Sequence, residues 1–132
     1  MQTSRRVDLI AIGLMALPVV AGLVLWPELP ARLAIHWSGG TPDTYVSKPV
    51  GLLGIFAFGV ATVLFVRYAP ASMTNTPGGK DVSVLFLGVV FAWVQTTILV
   101  WNLGHRFDVG LSVVPILLLA GLLVVYSLLR NR

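Results

Sequence analysis

Cysteine is absent from the 132 residues, which removes disulfide staples, thiolate metal sites and thiol nucleophiles. Charge is almost as scarce. Only 11% of the side chains are charged, nine basic and five acidic, where a soluble globular chain carries about a quarter. So few charges cannot coat a surface in water, and a 57% hydrophobic content is the reverse of a disordered composition. Mean hydropathy is +0.91. At about 20 residues per bilayer-crossing helix, the length holds roughly four spans with short connections, and 1–132 reads as one integral membrane domain. The formal charge of +4 would suggest nucleic-acid binding in a soluble protein. Here the basic residues stand singly at the ends of apolar runs, so they carry topology information and nucleic acid is set aside as a partner.

What is present in quantity is long apolar sequence. Four runs, 7–26, 49–68, 82–103 and 109–129, are each long enough to cross the hydrocarbon as a helix and nearly free of internal charge. The connection 27–48 contains Pro27, Pro30, Gly39, Gly40 and Pro42, which break a helix. The connection 69–81, with Pro70, Asn75, Pro77, Gly78 and Gly79, reads as a flexible turn region. The link at 104–108 is tight, so spans three and four form an antiparallel helical hairpin.

Orientation follows from Lys and Arg, whose translocation is disfavoured. Both termini and the second connection share one side, with Arg5, Arg6, Arg67, Lys80, Arg130 and Arg132, while the other side has Arg32, Lys48 and Arg106. That bias places the N- and C-termini in the cytoplasm of a multi-pass cell-membrane protein. On the outer side Glu28, Asp43 and Asp108 offset the basic residues. Ser4-Arg5-Arg6 ahead of an apolar run also has the form of a secretion signal. The run is longer than a signal core and no Ala-x-Ala site closes it, so it is read as a retained span.

The first outer loop holds the densest information: Trp26-Pro27-Glu28-Leu29-Pro30, Ile35-His36-Trp37-Ser38-Gly39-Gly40-Thr41-Pro42-Asp43 and Ser47-Lys48-Pro49. Its prolines and glycines favour tight turning, and Trp26 and Trp37 suit the interfacial zone, so a compact folded loop on the membrane surface is expected. Leu29-Pro30, then His36-aromatic, a Gly-containing turn, Pro42-Asp43 and Ser47-Lys48 entering a span together resemble the membrane module of unknown function, domain of unknown function 1648, at the N-terminus of SdpI-like immunity proteins. The resemblance is densest over 26–49 and extends through the four-span arrangement. It implies a polytopic membrane protein of bacteria or archaea. It also implies self-protection against a secreted toxic peptide and membrane capture of a transcriptional repressor.

Candidate residues each admit a structural and a functional role. His36 and Asp43 either stabilise the loop or form a recognition, proton or metal site; two ligands alone do not make a zinc site. Lys48 is an interfacial anchor able to pair with Asp43. Gln95 and Asn102 share a face of span three and point into the bundle, as interhelical hydrogen-bonding groups or as a polar path. His105, Arg106 and Asp108 join the outer polar cluster, either as a binding surface or as a solvated cap with Arg106 paired to Asp108. Ala57 with Ala61, and Gly88 with Ala92, have the small-xxx-small spacing of close helix contacts, and Pro18 is expected to kink span one. Pro115 near the start of span four costs little if that helix begins late.

No catalytic set, phosphate loop or His-Glu-x-x-His motif is found, so neither enzyme activity nor cofactor nor metal is expected. The expected fold class is all-α, a polytopic membrane protein with four transmembrane helices and a structured outer loop between the first two. The leading function is an immunity or sensor-type binding protein. It would recognise a peptide, lipid or membrane protein through His36, Trp37, Asp43, Lys48, His105 and Arg106. The alternative is a subunit of a small transporter or channel using Gln95 and Asn102. Beyond the lipid bilayer, the candidate partners are a peptide, a membrane protein and a second copy of the chain.

Overall fold

The computed structural model describes residues 2–70, 72–73 and 79–130. Asn75, Pro77 and Gly78 of the second connection, and Arg132 of the charge asymmetry, lie outside the described residues. Four helical segments have the length and hydropathy to cross a membrane: Gln2–Val24, Val50–Tyr68, Gly79–Asn102 and Val109–Arg130. Together with the composition they make this a multi-pass membrane protein, four-spanning and predominantly helical.

Helix ends follow local chemistry. Helix α1 (Gln2–Val24) runs unbroken through the buried Pro18 and stops before a 3-10 turn, Trp26–Glu28, that has a proline near its start. Span two opens as a π-helix, Val50–Gly54, and continues as α2 (Ile55–Tyr68). It ends at Ala69, whose ψ of 149° is the extended state imposed on a residue preceding proline. Helix α3 (Gly79–Asn102) closes with Gly104 at φ 102°; the amide of Gly104 donates to the Trp101 carbonyl and that of His105 to the Val100 carbonyl. These are the paired bonds of a Schellman terminus, which needs a left-handed residue at the position Gly104 fills. Span four begins as a short turn, α4 (Val109–Ser112), with Asp108 capping the Leu111 amide, breaks at Val113, and resumes as α5 (Val114–Arg130). Pro115 therefore sits in a first turn, where its missing N–H costs little.

The first outer loop is a β-hairpin. Strand β1 (Arg32–Ser38) pairs antiparallel with β2 (Thr41–Ser47). Gly39 and Gly40 between them have φ of 58° and 81°, the two positive values that a two-residue type I′ turn requires. The expected structured loop is thus present as a sheet, and the fold carries two strands in addition to its four helical spans.

Three spans pack closely. Between membrane helices the hydrocarbon supplies no hydrophobic drive, so dispersion at close approach matters most. Small residues mark the contacts. A Cβ placed on Gly88 of α3 would meet the Ala11 Cα of α1 at 2.8 Å, and one on Gly59 of α2 would meet the Met15 sulfur at 2.7 Å. Gly22 receives Leu52 and Leu99 in the same manner. Ala11, Met15, Val63 and Val84 form one buried cluster; Val19, Leu29, Leu33, Leu52 and Leu99 form another that reaches into the hairpin. Of the small-residue pairs expected at contacts, Gly88 lies at one, whereas Ala57 and Ala61 are exposed and Gly59 makes the close approach on α2. Helix α5 contains no buried residue.

Gly88→Ala is expected to lower the unfolding temperature in detergent, at a cost of about 1–3 kcal/mol, because the new methyl meets helix backbone that cannot move aside. Gly121→Ala on α5, where nothing lies within 4 Å, should leave it unchanged or raise it. Circular dichroism melts of the two variants make the comparison.

Candidate functional site

One side chain hydrogen-bonds the hairpin to α3. Asn102, on the last turn of α3, accepts from the Ala34 amide (2.9 Å) and donates to the Ala34 carbonyl (3.0 Å) and to the Ile98 carbonyl (2.7 Å). A primary amide reproduces the donor and acceptor of a neighbouring strand, so β1 gains at Ala34 a partner supplied by a helix. Beneath it, Leu33 is fully buried against Gly51, where an added Cβ would meet its Cδ1 at 2.8 Å. Gly51 lies in the π-helix, and its carbonyl accepts from Gln95 Nε2 at 3.3 Å. Gln95 is 2% exposed, and its Oε1 has no partner among the described residues. Both intramembrane amides are thus engaged on backbone, one holding the hairpin and one holding the π-turn.

A double irregularity in the strand register builds the polar end. Pairing shifts between Ala34 and His36, and again between His36, opposite Thr44, and Trp37, opposite Pro42, which leaves Asp43 as the extra residue of β2. A bulge re-aims the side chain it carries. The Asp43 carboxylate accepts from His36 Nδ1 at 2.7 Å, from the Ser38 hydroxyl, and from the Thr44 hydroxyl at 2.9 Å. The Ser38 bond first, then those of His36 and Thr44, hold its pKa down at about 2, from an ordinary 3.8. An ionised carboxylate only accepts, so His36 Nδ1 carries the proton and Nε2 is left as the free basic nitrogen. The imidazole side chain is 67% exposed. It is an oriented, accessible acceptor.

The other expected residues divide into separate groups. Trp37 packs edge-on against Trp101 (centroids 5.5 Å apart), Trp101 meets Phe107 in the same way (5.8 Å), and the Arg106 guanidinium lies over the Trp101 ring at 4.7 Å while donating to the Trp101 carbonyl. Arg106 therefore does not pair with Asp108, which is occupied as the cap of α4. Lys48 does not pair with Asp43 either. Its ammonium donates to the Trp26 carbonyl (2.8 Å) and sits 4.8 Å from the Trp26 ring centroid. Five residues of strand, about 16 Å, separate the base of the hairpin from its bulge. His105 is exposed on the link after α3. Among the described residues no three metal-ligating side chains converge.

A second polar cluster at the opposite end was not anticipated. Arg67 on α2 donates to Asp8 on α1 through both Nε and Nη2 (2.9 and 2.7 Å) and lies 2.7 Å from Asp81 on α3; its side chain is only 12% exposed. The Lys80 ammonium donates to the Arg67 and Ala69 carbonyls. The signal was available in the sequence: Asp8 lies inside an apolar run, and a carboxylate there needs a partner.

Asn102→Leu should free the hairpin from the bundle at a cost of about 2–4 kcal/mol, since two buried backbone groups at Ala34 lose their partner. Amide exchange at Ala34 would register it. For Asp43, a lowered pKa means that its contribution is complete above 3.8 and is lost as pH falls through about 2. Tryptophan fluorescence of the hairpin end should therefore hold steady from neutral pH down to pH 4 and change below it. Asp43→Asn should abolish that acid transition.

The family described as Domain of unknown function (DUF1648) matches residues 13–60. The protein Immunity protein SdpI of Bacillus subtilis (strain 168) is 27% identical over 112 residues, covering 80% of this chain and 52% of its own length. The chain thus spans about half the length of that curated relative. No solved structure matches it. The DUF1648 match covers the end of α1, the whole hairpin and the start of α2, and over most of its length the chain is similar to the SdpI immunity protein.

Proposed function

We propose that the chain is a non-enzymatic, immunity-type protein of the cell membrane that captures a secreted peptide at the hairpin end, with both termini in the cytoplasm. The observation that carries this reading is the His36–Asp43 pair. Its imidazole is exposed, its tautomer is fixed, and its strand is clamped to α3, so a ligand meets a preorganised group at little ordering cost. The excess of Lys and Arg at the terminal end supports the orientation. The name of the Bacillus relative, an immunity protein, supports the role. Gln95 and Asn102, which a transport path would need, are engaged in holding backbone, and this favours binding over conduction.

The test is survival of a susceptible bacterium that expresses the protein during challenge with a secreted toxic peptide of the SdpI-linked kind. Wild type should protect. His36→Ala and Asp43→Ala should each lower the tolerated dose about ten- to a hundredfold, the equivalent of one or two lost polar contacts, at unchanged membrane abundance. Full protection by both variants would overturn recognition at the hairpin.

A further inference from the structure

The two edges of the hairpin differ in what they have to bond. On β1, both backbone groups of Ala34 turn away from β2 and are taken by Asn102. In an antiparallel pair, residues that do not bond each other direct their N–H and C=O outward on both strands. Tyr45, opposite Ala34, therefore turns its amide and carbonyl to the outer edge of β2. Ser47, two residues on and opposite Arg32, does the same. The Lys48 amide, which donates back to the Ala31 carbonyl at 3.1 Å, keeps that alternation. Tyr45 and Ser47 are both exposed, and among the described residues no third strand extends the sheet.

Proline, a bulge and charge are the usual ways of blunting such an edge. Pro42, opposite Trp37, and the bulge at Asp43 close the tip. The charge stands lower. Arg32 crosses from β1, and its Nη2 donates to the Tyr45 carbonyl at 3.0 Å. The side chain is exposed, and no carboxylate among the described residues pairs with it. The next two groups along the edge are the Ser47 amide and the Ser47 carbonyl. A guanidinium, an amide donor and an acceptor thus follow one another, which is the complement of a peptide that ends. Its last residue, antiparallel to β2, exchanges both bonds with Ser47, and its second carboxylate oxygen meets Arg32. A chain that continued would bring its next N–H to the Tyr45 carbonyl, where Arg32 already sits. A second copy docked edge to edge would set one Arg32 against another.

We propose that the outer edge of β2 receives the C-terminal end of an extended peptide. The terminal carboxylate accepts from the Ser47 amide and the Arg32 guanidinium, and the last N–H donates to the Ser47 carbonyl. Strand addition and carboxylate capture are both general modes of peptide recognition. The proposal rests on the reading of the hairpin end as a peptide-capturing surface and narrows its ligand to chains with a free C-terminus.

The experiment holds the full chain in phosphatidylcholine nanodiscs on a solid support. It is offered two pools of random octapeptides, one ending in carboxylate and one in carboxamide, and retained peptide is quantified by mass spectrometry. Wild type should retain the carboxylate pool about tenfold over the carboxamide pool, the effect of a charge-assisted bond, and Arg32→Gln should erase that preference. Ser47→Pro removes an outward amide that the hairpin itself does not use, so the strand tolerates it. It should lower retention about tenfold with amide exchange at Ala34 unchanged, while Ser47→Ala, which keeps the amide, should retain peptide as wild type does. Equal retention of the two pools by wild type, retention of neither, or undiminished retention by Ser47→Pro would each overturn the proposal. So would a wild-type dimer that Ser47→Pro dissociates, because a second copy would then occupy the edge. Protection assays separate this result from the His36 reading. Protection lost in His36→Ala with equal retention of both pools removes the edge site and leaves immunity standing; carboxylate-selective retention with full protection by His36→Ala and Asp43→Ala does the reverse.

Discussion

One amide at the end of α3 ties the part of this protein that lies in oil to the part that lies in water. Asn102 bonds both backbone groups of Ala34, and in doing so it fixes where the hairpin stands relative to the spans. A two-stranded sheet is marginal by itself. This one persists because β1 is paired on one side by β2 and at Ala34 by a helix side chain, while Leu33 fills a depression over Gly51. The π-turn that creates the depression is in turn held by Gln95. Two polar residues in a transmembrane helix thus explain each other: one supports the floor and one clamps what rests on it.

The bundle beneath is asymmetric. Spans one to three interlock at Gly88, Gly59 and Gly22, where a missing side chain lets another helix, or the side chains it carries, approach closely. Among the described residues span four has no such contact, and apolar crevices lie between it and α3. Rigidity is therefore concentrated in the three spans that carry the hairpin.

The two ends hold their charge in different ways. At the terminal end, Arg67 is shared by Asp8 and Asp81 and brings three helices together through an ion-paired guanidinium that is largely hidden from solvent. At the hairpin end, the charged groups rest on rings and carbonyls, as Lys48 does on Trp26 and Arg106 on Trp101, and the Asp43 carboxylate is held by hydroxyls and an imidazole. The first arrangement ties spans together. The second leaves an accessible nitrogen at His36.

The membrane class, the number and limits of the spans, and the location of a folded loop were all legible in the sequence, because hydrocarbon tolerates so few side-chain types that a run of about twenty apolar residues has one interpretation. Gly39 and Gly40 were legible as a tight turn and 104–108 as a tight link, and the structure places all three glycines in left-handed backbone. The partners of the polar residues were not legible. Asn102 and Ala34 are 68 positions apart, and Asp8 and Arg67 are 59 apart, distances at which spacing carries no information. Nor does alternation reveal a register shift, and it was the bulge at Asp43 that turned its carboxylate to His36 and away from Lys48. Composition determined the solvent in which this chain folds, since transfer free energy is a sum over residues. Only the tertiary structure decided which donors meet which acceptors, because a hydrogen bond depends on position to within a fraction of an ångström.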